Sequence, residues 1–275
     1  MMPEHMVPNI LSIAGSDPSG GAGIQADLKT FSALRTYGAA AITALTAQNT
    51  RGVGAVLVVE PAFVARQIDM IFEDVRIDAV KIGMLANAQI ISKVAACLRH
   101  CQPRWIVLDP VMIAKSGHRL LDEAALSALR RELLPMASII TPNLPEAAAL
   151  LDRAVAKDWD DMEETAVGLQ ALGASRVLLK GGHLPGEASP DLVLTDGVIT
   201  KLDAGRIATE NTHGTGCTLS SAIAALLPQH RDVITAIREA KAYITGAIAA
   251  SGQLAVGSGH GPVHHFHQLW HQSRP

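Results

Sequence analysis

Apolar runs that stop abruptly at a polar residue recur along this chain, and helical apolar periodicity fills the intervals. Residues 9–14 form the first run, read as a short buried strand. It enters a turn-rich stretch, Gly15-Ser16-Asp17-Pro18-Ser19-Gly20-Gly21-Ala22-Gly23. Ile24, Leu28, Phe31 and Leu34 then return at helical spacing and mark one apolar helix face. Residues 41–47 and 53–59 predict strands. Pro61 opens a further helix, at a position where its missing N–H costs little. A strand over 79–82 and a helix over about 87–98 follow. Later strands over 105–108, 138–141 and 176–179 end on Asp109, on Pro142-Asn143 and on Lys180-Gly181-Gly182. Residues 191–204 predict a β-hairpin around Asp196-Gly197, a favoured two-residue turn. Helices over about 219–227 and 232–250 complete the pattern.

Strands alternating with helices argue for an α/β domain with a mostly parallel sheet and helices on both faces. Continuously apolar strands fit a sheet buried on both sides. Ligands in such sheets bind beyond the carboxyl ends of the strands. Asp109, Asn143 and Lys180 therefore converge there although they are far apart in sequence. No internal repeat or low-complexity linker divides the chain, so residues 1–275 read as one domain.

Composition narrows the function classes. The chain has 275 residues, 48% of them hydrophobic, enough for one large core. A formal net charge of −3 gives no bulk basic field for nucleic acid. No apolar run approaches the roughly 20 residues of a membrane span. Met1–His5 lacks the basic start of a signal peptide. Three cysteines, an odd number, argue against a disulfide framework and for a reducing cytoplasm. Cys97, His100 and Cys101 share a helix face, but their spacing suits core cysteines better than zinc. His264, His265 and His267 cluster too, although neighbours in sequence make poor co-ligands.

The chemistry concentrates in Asn211-Thr212-His213-Gly214-Thr215-Gly216-Cys217-Thr218. A Gly-rich turn opening a helix aims backbone N–H groups and the positive helix end at one spot, which favours phosphate. Gly214, Thr215 and Gly216 are the expected cradle. The same field predicts a lowered thiol pKa for Cys217, a candidate base. No Walker sequence is present. Asp109 and Glu146 could hold Mg²⁺, with Asn143 adding its carbonyl oxygen. Asn143 and Glu146 also have the spacing of a capping box, and the two readings coexist. Lys180 reads equally as a phosphate-binding or a surface lysine. Asp27 and Gln48 could read the edge of a heterocycle, or Asp27 could sit on a solvated helix face.

These stretches carry a resemblance that spans the chain in order. They are residues 13–29, Thr43-Ala44-Leu45-Thr46-Ala47-Gln48-Asn49-Thr50, Lys81-Ile82-Gly83-Met84-Leu85 and Leu108-Asp109-Pro110-Val111-Met112. Thr141-Pro142-Asn143-Leu144-Pro145-Glu146, Lys180-Gly181-Gly182-His183, residues 211–217 and Gly261-Pro262-Val263-His264-His265 follow. Together they resemble the bacterial hydroxymethylpyrimidine/phosphomethylpyrimidine kinases of the ribokinase-like superfamily. The resemblance implies a three-layer sandwich with a small β-flap and a homodimer. It implies ATP-dependent phosphorylation of 4-amino-5-hydroxymethyl-2-methylpyrimidine, then of its monophosphate, in thiamine biosynthesis. By motif, Gly15, Asp27, Gln48, Met84 and Val111 would line the pyrimidine pocket. Gly214, Thr215, Gly216 and Cys217 would form the anion hole, with Cys217 as base. Asp109, Asn143 and Glu146 would organise Mg²⁺, with Asp109 and Asn143 also near the nucleotide, and Lys180 would meet the ATP phosphates. Sugar kinases of the superfamily usually carry Asp at the position of Cys217. Cysteine there is shared with some pyridoxal-phosphorylating relatives, so a pyridoxal or bifunctional kinase is the alternative. A non-catalytic binding protein of the same fold is disfavoured, because Cys217, Asp109, Lys180 and Glu146 are all present.

Overall fold

The structure is a computed structural model that describes residues 6–112 and 121–270. The N-terminal reading of Met1–His5 lies outside the described residues. In chain order the strands are β1 (Asn9–Ser16), β2 (Tyr37–Asn49), β3 (Gly52–Val58), β4 (Ala79–Ile82), β5 (Ile106–Leu108), β6 (Ile139–Ile140), β7 (Arg176–Lys180), β8 (Asp191–Thr195) and β9 (Val198–Leu202). The helices are α1 (Gly23–Ala33), α2 (Pro61–Asp74), α3 (Ala88–Cys101), α4 (Glu123–Ala128), α5 (Leu144–Leu151), α6 (Trp159–Ala171), α7 (Thr215–Leu226) and α8 (Val233–Ala249). One nine-stranded sheet has the order β3-β2-β1-β4-β5-β6-β7-β8-β9. Neighbours from β2 across to β7 pair parallel. The edges β3, β8 and β9 are antiparallel.

Side-chain alternation along the strands divides the apolar residues into two cores. Leu11, Ile13, Val80, Ile82, Leu108 and Ile140 pack on one face, under α2 to α6. Ile10, Ala79, Val107, Ile139 and Leu178 pack on the other, under α1, α7 and α8. Consecutive residues of β1 and β4 thus serve opposite cores, which is why these strands read as unbroken apolar runs. The expected three-layer α/β arrangement follows from that division.

Two boundaries differ from the periodicity reading for physical reasons. β2 begins at Tyr37 rather than Ala41, because Leu28 and Phe31 of α1 pack directly over Gly38. Its Gly-Ala-Ala stretch hid the start by carrying little apolar bulk. α7 begins at Thr215, before the apolar run, because Gly214 adopts φ +75° and turns the chain into the helix. The far half of β2 pairs with β3 as a flap, leaving Leu45 44% and Leu57 67% exposed. The β8–β9 turn is as expected: Asp196 and Gly197 have φ of 51° and 76°.

Candidate active site

The carboxyl ends of the parallel strands open into one cavity of about 1030 Å³. Gly15, Gln48, Met84 and Val111 line one part of it, and Gly205, Ile207, Ile244 and Ile248 another. Asp109, Asn143, Glu146, Lys180 and the first turn of α7 line the same cavity.

That turn is built around a glycine requirement. A Cβ on Gly214 would collide with the Gly21 carbonyl oxygen, and its φ lies in the left-handed region. The first helical bond of α7 runs from the Thr218 N–H to the Gly214 carbonyl at 2.8 Å. The N–H groups of Gly216 and Cys217 precede it and have no intrahelical acceptor. Gly216 lets charge approach: a Cβ there would sit 3.3 Å from Lys180 Nζ and 3.6 Å from Asp109 Oδ2. The α7 N-terminus, expected as an anion cradle, thus lies close to Lys180 and Asp109.

Lys180 Nζ lies 3.2 Å from Asp109 Oδ1 and 3.8 Å from Glu146 Oε2. Burial alone would lower the Lys180 pKa, but Asp109 and Glu146 reverse this and raise it. The lysine is therefore a bound cation and not a surface one. Burial pushes Glu146 up to about 7, Asp109 adds to the rise, and Lys180 opposes it. Asp109 also accepts from Ser220 Oγ at 3.2 Å and from Thr141 Oγ1 at 3.4 Å.

Asn143 and Glu146 close a capping box. The Asn143 Oδ1 accepts the Glu146 N–H, and Glu146 Oε2 accepts the Asn143 N–H, both at 2.8 Å. Asn143 thus has one lone pair of its carbonyl oxygen engaged in the helix cap, and the second leaves the metal-shell expectation open. The donor set still fits a hard dication. Asp109 and the remaining acceptor capacity of Glu146 suit Mg²⁺ that keeps several of its waters.

Gly15 and Met84 face each other: a Cβ on Gly15 would lie 2.8 Å from Met84 Cε. The Met84 carbonyl is fixed by the Thr43 hydroxyl at 2.6 Å. Gln48 Nε2 stands 3.3 Å from His213 Nε2, which lies 2.7 Å from Asp17 Oδ2. Burial would raise Asp17, but hydrogen bonds from His213 and Ser19 hold it below the usual carboxylate range. An ionised Asp17 only accepts, so His213 Nε2 donates to it and does not accept from Gln48. The Gln48 amide donors remain available to a ring in the cavity.

Two expectations are corrected. Asp27 does not line the cavity and is not on a solvated face. It is fully buried behind the wall, where both carboxylate oxygens meet Lys81 Nζ at 2.8 and 2.9 Å. Ser12 and Ser221 each donate to it at 2.6 Å. Lys81 reaches the cavity wall in its place. The second correction concerns Cys217. Burial pushes its thiol up to about 11; Lys81 opposes the rise, while Asp27 and Asp109 add to it. Desolvation outweighs the helix-terminus field, so the thiol is protonated at neutral pH.

Periodicity missed Asp17, Lys81 and His213 as site residues. Lys81 lies within an otherwise apolar strand, and that break in pattern was the available signal. The remaining clusters are structural. His265 Nε2 sits 3.1 Å from Thr218 Oγ1, and burial pushes its pKa down to about 3. The Tyr243 hydroxyl donates to the His265 carbonyl at 2.6 Å. Burial pushes the Cys97 thiol up to about 11, with Asp69 adding to the rise, and raises Cys101 as well. Among the described residues, no three His, Cys, Asp or Glu side chains are grouped to hold a metal ion.

The family model described as phosphomethylpyrimidine kinase matches residues 17–264. The hydroxymethylpyrimidine/phosphomethylpyrimidine kinase of Escherichia coli K12 is 56% identical over 262 residues, covering 95% of this chain and 98% of its own. The crystal structure of phosphomethylpyrimidine kinase from Clostridium difficile superposes with a TM-score of 0.78 at 44% identity, covering 88% of this chain and 99% of that one. Bacillus subtilis pyridoxal kinase, solved as an ADP complex, gives a TM-score of 0.86 at 37% identity, covering 94% and 98%. One scaffold thus carries both vitamin-kinase names, and the sequence match places this chain on one branch of it: the protein belongs to the phosphomethylpyrimidine kinase family.

Proposed function

We propose that the protein transfers the terminal phosphoryl group of ATP to 4-amino-5-hydroxymethyl-2-methylpyrimidine, and then to the resulting monophosphate, in thiamine biosynthesis. The observation that carries this reading is the closeness of Lys180, Asp109 and the α7 N-terminus in one cavity. A heterocycle fits between Gly15 and Met84, where the bare backbone and a soft thioether offer flat contact. Gln48 can give an N–H to a ring nitrogen and take one from an amino group. The nucleotide occupies the part lined by Gly205, Ile207, Ile244 and Ile248.

Phosphoryl transfer demands positioning and charge neutralisation more than covalent chemistry. Lys180 supplies a fixed cation, and the Gly216 and Cys217 N–H groups bind oxygens of the moving phosphoryl group. Asp109 and Glu146 would hold Mg²⁺ largely through its waters. When bound, Mg²⁺ supplies neutralisation of the nucleotide phosphates. Cys217 rests as a thiol; its minor thiolate form, reached by loss of the thiol proton to solvent, is the form that takes the proton of the acceptor hydroxyl as that oxygen bonds to phosphorus. The second acceptor is a phosphate monoester with a second pKa of about 6, already ionised at neutral pH, so it needs no base.

The test is product mass analysis after incubation with ATP and Mg²⁺, using the pyrimidine alcohol, its monophosphate and pyridoxal in parallel. Conversion of the pyrimidine to mono- and diphosphate is expected. Phosphorylation of pyridoxal alone would refute the assignment and favour the pyridoxal-kinase reading, which the superposition on the Bacillus enzyme keeps relevant. We also infer a homodimer in which the exposed Leu45, Val56, Leu57 and Val58 of the flap are covered by a second copy. Light scattering reads this directly, and a monomer at micromolar concentration would refute it. No helix among the described residues is long and apolar enough to cross a membrane.

A further inference from the structure

The flap that carries Gln48 is held at its tip by a segment far away in sequence. β2 and β3 join through Thr50 and Arg51, with Asn49 and Gly52 paired across the turn. Residues 257–262, beyond α8, run against that tip. The His260 N–H donates to the Thr50 carbonyl at 3.0 Å, and the Gly259 N–H donates to Thr50 Oγ1 at 3.2 Å. The approach leaves no room for side chains on the segment. A Cβ on Gly259 would collide with the Thr50 carbonyl oxygen, and one on Gly257 with the Thr50 hydroxyl.

The same segment continues to the phosphate side of the cavity. The His213 N–H donates to the Gly261 carbonyl at 3.0 Å, and His213 pairs with Pro262 in a short parallel bridge. His213 directly precedes Gly214, where the chain turns into α7. Residues 259–262 therefore form a crosspiece with Thr50 at one end and His213 at the other. Gln48 lies between these ends, with its Nε2 3.3 Å from His213 Nε2. Two residues before it, Thr46 Oγ1 donates to the Ser16 carbonyl at 2.9 Å. The β2–β3 register shifts between Ala47 and Gln48, and such a bulge re-aims side chains and interrupts the ladder. Anchors at Thr46 and Thr50 thus bracket a residue whose direction regular pairing does not fix.

We propose that Thr50 is a positioning residue for the acceptor: by receiving the Gly259 and His260 N–H groups it ties the flap to the crosspiece and sets the span between Gln48 and the α7 turn. An acceptor read by Gln48 must present its reacting oxygen at that turn, and a small misplacement of one against the other is costly. The proposal rests on the reading of Gln48 as the residue that recognises the acceptor ring.

The test compares wild type with Thr50→Val, Thr50→Ser, Gly259→Ala and, as reference, Gln48→Ala. Thr50→Val keeps the shape of the side chain and loses the oxygen that accepts the Gly259 N–H, whereas Thr50→Ser keeps that oxygen. Gly259→Ala displaces the tip without touching the flap sequence. Steady-state kinetics give the KM for the pyrimidine alcohol and for ATP, and thermal unfolding gives the stability of each variant. Thr50→Val is expected to raise the pyrimidine KM about fivefold, as for loss of one ordinary hydrogen bond, and Gly259→Ala about tenfold or more. The ATP KM should stay within about twofold in both, and Thr50→Ser should match wild type. A merely structural role would lower the thermal midpoint and the active fraction and leave both KM values alone. An unchanged pyrimidine KM in Thr50→Val and Gly259→Ala overturns the proposal, and so does a parallel rise in both KM values. If Gly259→Ala does not fold, the two Thr50 variants decide between these outcomes. If Gln48→Ala leaves the pyrimidine KM unchanged, the ring-recognition reading falls, while a raised pyrimidine KM in Thr50→Val still supports Thr50 as a positioning residue for the acceptor.

Discussion

Replacing Glu146 by Gln should stabilise the metal-free protein above neutral pH while impairing catalysis. The reasoning begins at the capping box, where Glu146 accepts the Asn143 N–H at 2.8 Å. A Gln oxygen can accept the same bond, so the helix start survives. The substitution mainly removes a charge that the fold disfavours. Burial raises this carboxyl from 4.5 to about 7, Asp109 adding to the rise and Lys180 opposing it. Below pH 4.5 both folded and unfolded states hold the proton, and Glu146 imposes no penalty. Between pH 4.5 and 7 the unfolded chain ionises first, so wild-type stability falls as pH rises. Above pH 7 both states are ionised and the loss is complete. The interval sets the expected gain at up to about 3 kcal/mol, a figure already net of the Lys180 attraction. The assay is urea unfolding in EDTA at pH 4.5, 5.5, 6.5, 7.5 and 8.5 for wild type and Glu146→Gln. The stability difference should be small at the lowest pH, grow through pH 7 and then level. A difference that is flat with pH, or a variant less stable at pH 8.5, would refute the argument. Steady-state kinetics should show the opposite ordering, with the Mg²⁺ requirement rising by an order of magnitude or more.

The other predictions concern the acceptor side. Cys217→Ala should slow the first transfer by about 10²-fold or more and the second by only a few-fold; equal losses would mean that Cys217 serves packing or anion binding. Gln48→Ala should raise the KM for the pyrimidine by the equivalent of about 1–3 kcal/mol with the ATP KM nearly unchanged, and unaltered pyrimidine kinetics would remove Gln48 from ring recognition. Gly214→Ala places a side chain against the Gly21 carbonyl at a positive φ, so a drop in thermal midpoint and loss of both transfers are expected. A fully active, equally stable variant would show that the turn can be rebuilt.

The elements easiest to read in the sequence were those whose environment is uniform. β4 matched its predicted span because residues 79–82 are buried on both faces. The capping box was legible because it is a local device, closed within four residues. The α7 turn was legible as a helix start because glycine is required there by backbone geometry. Asp27 was misread because its partners, Lys81, Ser12 and Ser221, come from three other elements. Nothing local distinguishes a carboxylate buried under a sheet from one in water. The Cys217 pKa was misread for a related reason: the helix-terminus field is written in the local sequence, whereas desolvation depends on the assembled walls.

The hydrogen bond from His213 to Asp17 joins residues 196 positions apart. Ser221 meets Asp27 across 194, and Ser220 meets Asp109 across 111. Each link ties a loop or helix made early to the α7 region made late. As the chain emerges during synthesis, β1, β2, β4 and β5 can pair and bury their apolar faces before α7 exists. The loop of residues 15–23, by contrast, lacks its anchor until the last quarter of the chain is available. A nascent or truncated chain that stops short of α7 would keep much of the sheet and none of the chemistry. Kinase activity in this protein therefore reports that the chain has been made and assembled through α7, which makes it a natural readout for folding studies in which spectroscopic probes of the sheet would respond too soon.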